Sequence, residues 1–310
     1  MHSLTDEWMR VEDLRKLAFF TVDVFAESKY AGNQLAVFTN ASSVSEIEMQ
    51  SIAKEMNYSE TTFILSDRRR NGGYDVRIFT PNEEVPFAGH PTLGTAYVIQ
   101  QAIIHRPVKS ITLNLKVGQV PVNLSYKAKA PELLWMKQIQ PTFGKTELPP
   151  ESVAQMLNID MSLIDTRFPI EEVSTGLSFI IVPLKNLEAI KKSRINRERY
   201  FEFIKDKPSK GVMIFCPETY AQVNQINARV FVDYYGIPED PATGSANGCL
   251  AAYLAKHSYF GSNHVDNIRV EQGYEIRRPS LLYLKSTMKG ELIDVWVGGR
   301  VVMIAKGVFV

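Results

Sequence analysis

Two places in the chain carry the same order of features. Arg77-Ile78-Phe79 precedes Gly89-His90 and an apolar helical stretch, and Arg229-Val230-Phe231 precedes Gly244-Ser245 and another; the arginines are 152 residues apart and the glycines 155. A three-residue insertion brings the two into line. Read as an internal repeat rather than a coincidence of a few residues, this feature confines the chain to two related α/β lobes. Each would present a strand, a glycine turn and a helix N-terminus toward a shared cleft, and clefts between domains are where small molecules bind. The 310 residues are about twice a typical ~100–200-residue domain, chain enough for both lobes.

Composition narrows the function classes. Hydrophobic residues make up 45% and charged residues 22%, with 18 Gly and 16 Pro, the profile of a folded chain rather than a disordered or collagen-like one. Lys and Arg total 35 against 34 Asp and Glu, scattered rather than striped, which argues against a nucleic-acid partner. The densest basic run, Arg68-Arg69-Arg70, leads into Asn71-Gly72-Gly73 between two alternating apolar stretches and reads as a solvated hairpin loop. The start is polar and acidic, and no apolar run approaches the ~18 residues of a membrane span, so no membrane partner is expected. Cys216 and Cys249 have neither CxxC spacing nor a His partner; they suggest no disulfide and no zinc, and a cytoplasmic, reducing compartment is the expectation.

Alternating β-branched and aromatic residues predict strands at 17–25, 35–38, 61–66 and 74–79, with a helix from the cap candidates Ser43 and Ser45 to about residue 58. After the Gly89-His90-Pro91 turn a helix spans 92–102, followed by strands near 111–115, 120–126 and 133–139. Proline, glycine and polar residues gather around Pro131 and at 141–150, where the connection between lobes is placed. Beyond it come helices at 152–157, 197–204 and 245–256 and strands near 179–182, 212–215, 227–231, 268–271, 281–284, 293–297 and 301–308.

Three motifs could carry chemistry. In Ser59-Glu60-Thr61-Thr62-Phe63-Ile64 a lone carboxylate stands at the mouth of an apolar strand. Partial burial would raise its pKa toward neutrality, where one carboxyl can take and return a proton; alternatively Glu60 is an exposed strand-start residue satisfied by Ser59 or Thr61. The proline-rich loop before Gly89-His90 puts His90 at a helix start, where the macrodipole disfavours imidazolium and free N–H groups favour an anion. Such a histidine either positions a carboxylate-bearing substrate or merely caps the helix. The run Glu239-Asp240-Pro241-Ala242-Thr243-Gly244-Ser245 gathers hydroxyls and amides at a second helix start. It is either an anion cradle, with Asp240 accepting from an amine or hydroxyl, or an N-cap cluster that only stabilises the helix.

Other chemistries lack support. There is no GxGxxG after the first strand and no GxxxxGK[ST], so no nucleotide cofactor is expected. HExxH and paired-histidine spacings are missing, so no metal is expected, and His105, His257 and His264 read as surface residues. Gly244-Ser245 lacks the GxSxG frame of an esterase elbow.

Taken together, "TVDVFAESKYAGNQLAVF", "YSETTFI", "VPFAGHPTLGTAYV", "EDPATGSANGCLAAYL" and "VGGRVVMIAKG" resemble the phenazine-biosynthesis PhzF-like family over nearly the whole chain after about Leu17. The resemblance implies an α+β fold of the diaminopimelate-epimerase type: two pseudo-symmetric lobes, each a curved, mostly antiparallel sheet wrapped around a central helix, with the active site between them. Its expected division is a first lobe at 17–135 completed by a C-terminal strand at about 298–310, a second lobe at 136–297, and a leading extension at 1–16. The family pattern makes Glu60 the proton-shuttling acid/base, with His90, Asp240 and Ser245 holding substrate and assisting, and Gly89, Thr243 and Gly244 as substrate-binding positions.

Epimerases and racemases of this fold use two facing cysteines at the glycine turns. Here those positions hold His90 and Ser245, while Cys216 and Cys249 fall elsewhere and read as buried core thiols, which disfavours a two-thiol racemase. One departure is Gly32-Asn33-Gln34 where the family commonly has Gly-Asn-Pro, a change expected to affect a turn rather than an acid or base. The resemblance implies a cofactor-independent isomerase of a small acidic metabolite, like trans-2,3-dihydro-3-hydroxyanthranilate isomerase, and a homodimer. A one-base epimerase or tautomerase of an amino or hydroxy acid, or a ligand-sensing or protein-interaction member, remains the alternative.

Overall fold

The computed structural model describes residues 16–144 and 148–310, so residues 1–15 of the expected leading extension lie outside the described residues. The chain opens with β1 (Leu17–Val24), β2 (Asn33–Phe38), α1 (Glu46–Met56), β3 (Thr61–Ile64), β4 (Tyr74–Phe79), β5 (Glu84–Val85), α2 (Gly89–Ile99), β6 (Ser110–Leu115), β7 (Gly118–Lys127) and β8 (Ala130–Lys137). It continues with β9 (Thr142–Phe143), α3 (Pro150–Leu157), β10 (Glu171–Ser174), β11 (Ser178–Pro183), α4 (Leu187–Lys192), α5 (Arg197–Ile204), β12 (Gly211–Cys216), β13 (Ile226–Val232), β14 (Ile237–Asp240), α6 (Gly244–Lys256), β15 (His264–Gln272), β16 (Ser280–Lys289) and β17 (Leu292–Gly299). The last strand, β18 (Val301–Phe309), returns to pair antiparallel with β1.

Strand pairing makes the two halves equivalent. In the first, β18, β1, β2, β3 and β4 lie side by side, β5 and β6 flank β4, and β7 and β8 follow. The second repeats this with β9 to β13, then β14 and β15 flanking β13, then β16 and β17. The only parallel neighbours in these two series also correspond: β2–β3 with β11–β12, and β4–β6 with β13–β15. Pairing of β8 with β17 joins the lobes.

Each lobe wraps its central helix because that helix has no polar face to offer water. Helix α2 is buried from His90 to Ile99 except at Tyr97, and α6 is buried at nearly every position. Small residues let the sheets close in: a Cβ at Gly94 would lie 2.6 Å from Leu35 and 2.8 Å from Val24. The outer sheet faces are covered by α1 over a stack of Phe19, Phe38, Phe63, Phe79 and Phe309, and by α3, α4 and α5 in the second lobe.

The arginine echo noted in the sequence has a physical basis. Arg77 on β4 and Arg229 on β13 each form a two-pronged ion pair with a glutamate on the next strand, Glu84 at 2.8 and 2.5 Å and Glu239 at 2.9 and 2.7 Å. Each also lies over the phenylalanine two residues on, Phe79 or Phe231. The pair ties down the hairpin that delivers the glycine turn, and the register aligns Glu84-Val85-Pro86-Phe87-Ala88-Gly89-His90 with Glu239-Asp240-Pro241-Ala242-Thr243-Gly244-Ser245.

Several expectations need correction. Helix α2 starts at Gly89, not residue 92, because Pro91 falls in the first turn, where its missing N–H has no intrahelical partner to lose. Pro131 lies inside β8 beside a register shift rather than in a connection, since a strand tolerates proline at such an irregularity. Strands β5, β9, β10 and β14 and helix α4 carry patterns too short or too polar to signal themselves. His257, expected at the surface, is mostly shielded and bonded through Nε2 to Glu171 of β10 at the C-terminal end of α6. The Arg68–Arg70 run does form a hairpin loop, closed by a bridge between Arg70 and Gly73, and Cys216 and Cys249 are buried free thiols.

Candidate active site

The two glycine turns bring α2 and α6 together end to end. A Cβ on Gly89 would stand 3.5 Å from the Cα of Gly244, and one on Gly244 would stand 3.6 Å from the Cα of Gly89 and 3.5 Å from Phe25. Neither helix has a side-chain cap, although Thr243 occupies the cap position of α6. Its hydroxyl is turned away to donate to Asp240 Oδ2 at 2.5 Å. The first-turn N–H groups of both helices therefore point at one place without a side-chain acceptor, a site with affinity for an anion.

Glu60, one residue ahead of β3, reaches this junction. Its Oε2 is 3.4 Å from Nε2 of His90, in the first turn of α2, with the side chains 19% and 7% exposed. Neither atom has a hydrogen-bond partner. Burial, reinforced by the nearby charge of Asp240, pushes the Glu60 carboxyl up to about 8. Burial pushes His90 down to about 3, against a hydrogen bond to the Gln34 backbone. That bond favours the protonated ring and Nε2 has no partner, so it runs from Nδ1–H to the Gln34 carbonyl and leaves the Nε2 lone pair facing Glu60. At neutral pH the pair is a carboxylic acid beside a neutral imidazole, and Glu60 is not an exposed strand-start residue.

Asp240 ends β14 and is buried. Burial raises it to about 6, while the Thr243 hydroxyl and the Asn33 amide, 2.9 Å from Oδ1, favour its ionised form. Ser245 follows Gly244 in the first turn of α6, half-buried. The structure thus brings Glu60, Gly89, His90, Asp240, Thr243, Gly244 and Ser245 into one place.

Sequence reasoning passed over four contributors. Asn33 and Gln34 open β2 instead of forming only a turn, and they touch Asp240 and His90 respectively. Gln272, at the end of β15, and Asn247 bond the Asp240–Thr243 segment from behind. Asn33 stood in a quoted motif and could have been found there; Gln272 has no local signature. Among the described residues, no group of three or more His, Cys, Asp or Glu is placed to hold a metal, and no helix is long and apolar enough to cross a membrane.

Two matched lobes, each a sheet wrapped around a buried central helix, with the two helix N-termini meeting between them, define the diaminopimelate-epimerase-like class. A protein described as a probable proline racemase from Agrobacterium radiobacter shares that fold, with TM-score 0.61 at 11% identity over 94% of this chain and 92% of that one. Within the class, the model of the family described as "Phenazine biosynthesis-like protein" matches residues 22–307, and the chain belongs to this family. It is 33% identical to trans-2,3-dihydro-3-hydroxyanthranilate isomerase of Pseudomonas aeruginosa over 290 residues, covering 93% of this chain and 98% of that protein. The crystal structure of the Bacillus anthracis phenazine biosynthesis protein of the PhzF family is similar at TM-score 0.87 and 28% identity, covering 96% of this chain and all of that one. The chain is accordingly an isomerase of the PhzF type.

Proposed function

We propose that the protein moves a proton between two positions of one small carboxylate-bearing metabolite, with Glu60 as the carrier and no cofactor. The observation that supports this most is the asymmetry of the acid. In the register of the two lobes the counterpart of Glu60 is Gly211, where a Cβ would lie 2.5 Å from the Phe179 ring. A second carboxyl matching Glu60 from the other lobe has no room there, and the glycine-turn positions hold His90 and Ser245 rather than a pair of thiols, which leaves Glu60 as the single carrier.

The substrate carboxylate is held by the first-turn N–H groups at Gly89–His90 and Gly244–Ser245, with the Ser245 hydroxyl at hand and ionised Asp240 accepting from an amine or hydroxyl. With a pKa of about 8, Glu60 rests protonated at neutral pH. The cycle then begins with donation to an electron-rich carbon and ends when the Glu60 carboxylate removes a proton from another, which regenerates the acid and shifts a double bond. The name of the P. aeruginosa relative makes trans-2,3-dihydro-3-hydroxyanthranilate the first defined compound to try.

The test is incubation of wild type and Glu60→Gln in D2O, with that compound and with a cellular small-molecule extract. Deuterium enters an acidic metabolite with wild type, and the rate falls by about 10²–10⁴-fold or more in the variant. An active Gln variant sinks Glu60 as the carrier. Product analysis separates isomerisation from one-base epimerisation, which inverts a centre and moves no double bond.

A further inference from the structure

The internal repeat shows which polar groups the fold can do without. In the register of the lobes, Asp240, Thr243, Asn247 and Gln272 stand where the first lobe has Val85, Ala88, Thr92 and Leu115. The same hairpin, turn and helix start are thus built in the first lobe with apolar residues at three of these positions. At the fourth, Thr92 and Asn247 do one job, each donating to the carbonyl four residues back, Ala88 at 2.7 Å and Thr243 at 3.0 Å.

In the second lobe the four polar residues form one bonded unit. Gln272 Nε2 donates to the Asp240 carbonyl at 2.8 Å and to the Thr243 hydroxyl oxygen at 3.1 Å. Its Oε1 accepts from Asn247 Nδ2 at 2.9 Å and from the Thr243 N–H at 3.3 Å. The backbone partners fix the amide's orientation, since a carbonyl only accepts and an N–H only donates. With its oxygen already accepting a hydrogen bond from Gln272, the Thr243 hydroxyl directs its own single proton to Asp240 Oδ2. Asn33 of the other lobe serves Oδ1.

We infer that Gln272 is a positioning residue of the active site: by aiming the Thr243 hydroxyl at Asp240 it keeps that carboxylate ionised and aligned at the head of α6. The ionisable groups facing Asp240 are Glu60 at the mouth of β3 and Glu239 on its own strand. Both are carboxyls, and the Glu239 charge opposes ionisation, so only the donors hold the anion against burial. The inference rests on the site proposed above, but its test needs no substrate.

Carboxyl ¹³C NMR, with the Asp240 signal identified by its loss in Asp240→Asn, reads the group directly in the full-length protein. Gln272→Leu, the residue of the first lobe, and Gln272→Leu/Asn247→Thr, which leaves no stranded side-chain amide, raise the Asp240 midpoint by about one pH unit or more above wild type, a tenfold weaker acid, with unchanged circular dichroism. A folded variant whose Asp240 titrates as in wild type overturns the assignment. Failure of both variants to fold overturns it too, because the glutamine would then serve the fold. Neither result touches the deuterium experiment, and a negative deuterium experiment leaves this titration standing.

Discussion

A carboxyl that stays protonated to about pH 8 is a cost to the folded state above the pH at which the unfolded chain ionises. Glu60 ionises near 4.5 when exposed and near 8 when folded. Below 4.5 it is neutral in both states and makes no difference; between 4.5 and 8 the unfolded state gains stability from ionising and the folded state does not; above 8 the loss levels off. Glu60→Gln removes this dependence. Relative to wild type, the variant gains stability as pH rises from about 4.5 to about 8, with a ceiling of about 5 kcal/mol at 1.36 kcal/mol per unit. Urea unfolding of both proteins at pH 5, 6.5 and 8 checks it, and parallel curves would mean that Glu60 is solvated. The sequence showed an acid at an apolar strand mouth; it could not show that His90 and Asp240 would close over it.

Among the elements, the two hairpins that carry the glycine turns depend on their arginine–glutamate pairs to different degrees. The Arg229 and Glu239 side chains are 5% and 9% exposed and are mainly each other's charge partner. Arg77 is 23% exposed, and its partner Glu84 is also served by Lys116. Arg229→Met strands a buried carboxylate and lowers unfolding stability by about 3–5 kcal/mol, whereas Arg77→Met leaves Glu84 paired and costs about 1–2 kcal/mol. Denaturant midpoints on the two variants measure the difference; equal losses would show that neither the deeper burial of Arg229 nor the Lys116 partner of Glu84 sets the two anchors apart. The arginines were visible in the sequence as an echo. Their glutamates were not, because β5 and β14 are short strands recognisable only by what they pair with.

The molecule as a whole holds its lobes together through a clasp around the loop after β1. Arg278 of the second lobe donates to the Ala31 carbonyl at 2.7 Å, the Gly32 carbonyl at 3.1 Å and Asp23 at 2.9 Å, and the Gly32 N–H returns a bond to the Pro279 carbonyl. That loop carries Phe25, packed against Gly244, and leads to Asn33, bonded to Asp240. Arg278→Ala therefore loosens residues 25–34, and hydrogen exchange speeds up there while α6 keeps its protection. Uniform protection across that loop would assign the clasp to other contacts.

Much of this protein was written locally. The glycine turns, the helix starts that follow them, the apolar central helices and the candidate residues Gly89, His90, Asp240, Thr243, Gly244 and Ser245 lie within two short runs of chain, and the likeness of those runs already implied two lobes around a cleft. What the sequence could not decide is every relation between stretches far apart in the chain: Asn33 on Asp240, Gln272 behind Thr243, the empty counterpart of Glu60 at Gly211. A pKa of about 8 on Glu60 arises from water shut out by elements distant in the chain, and that exclusion exists only once the two halves have packed together.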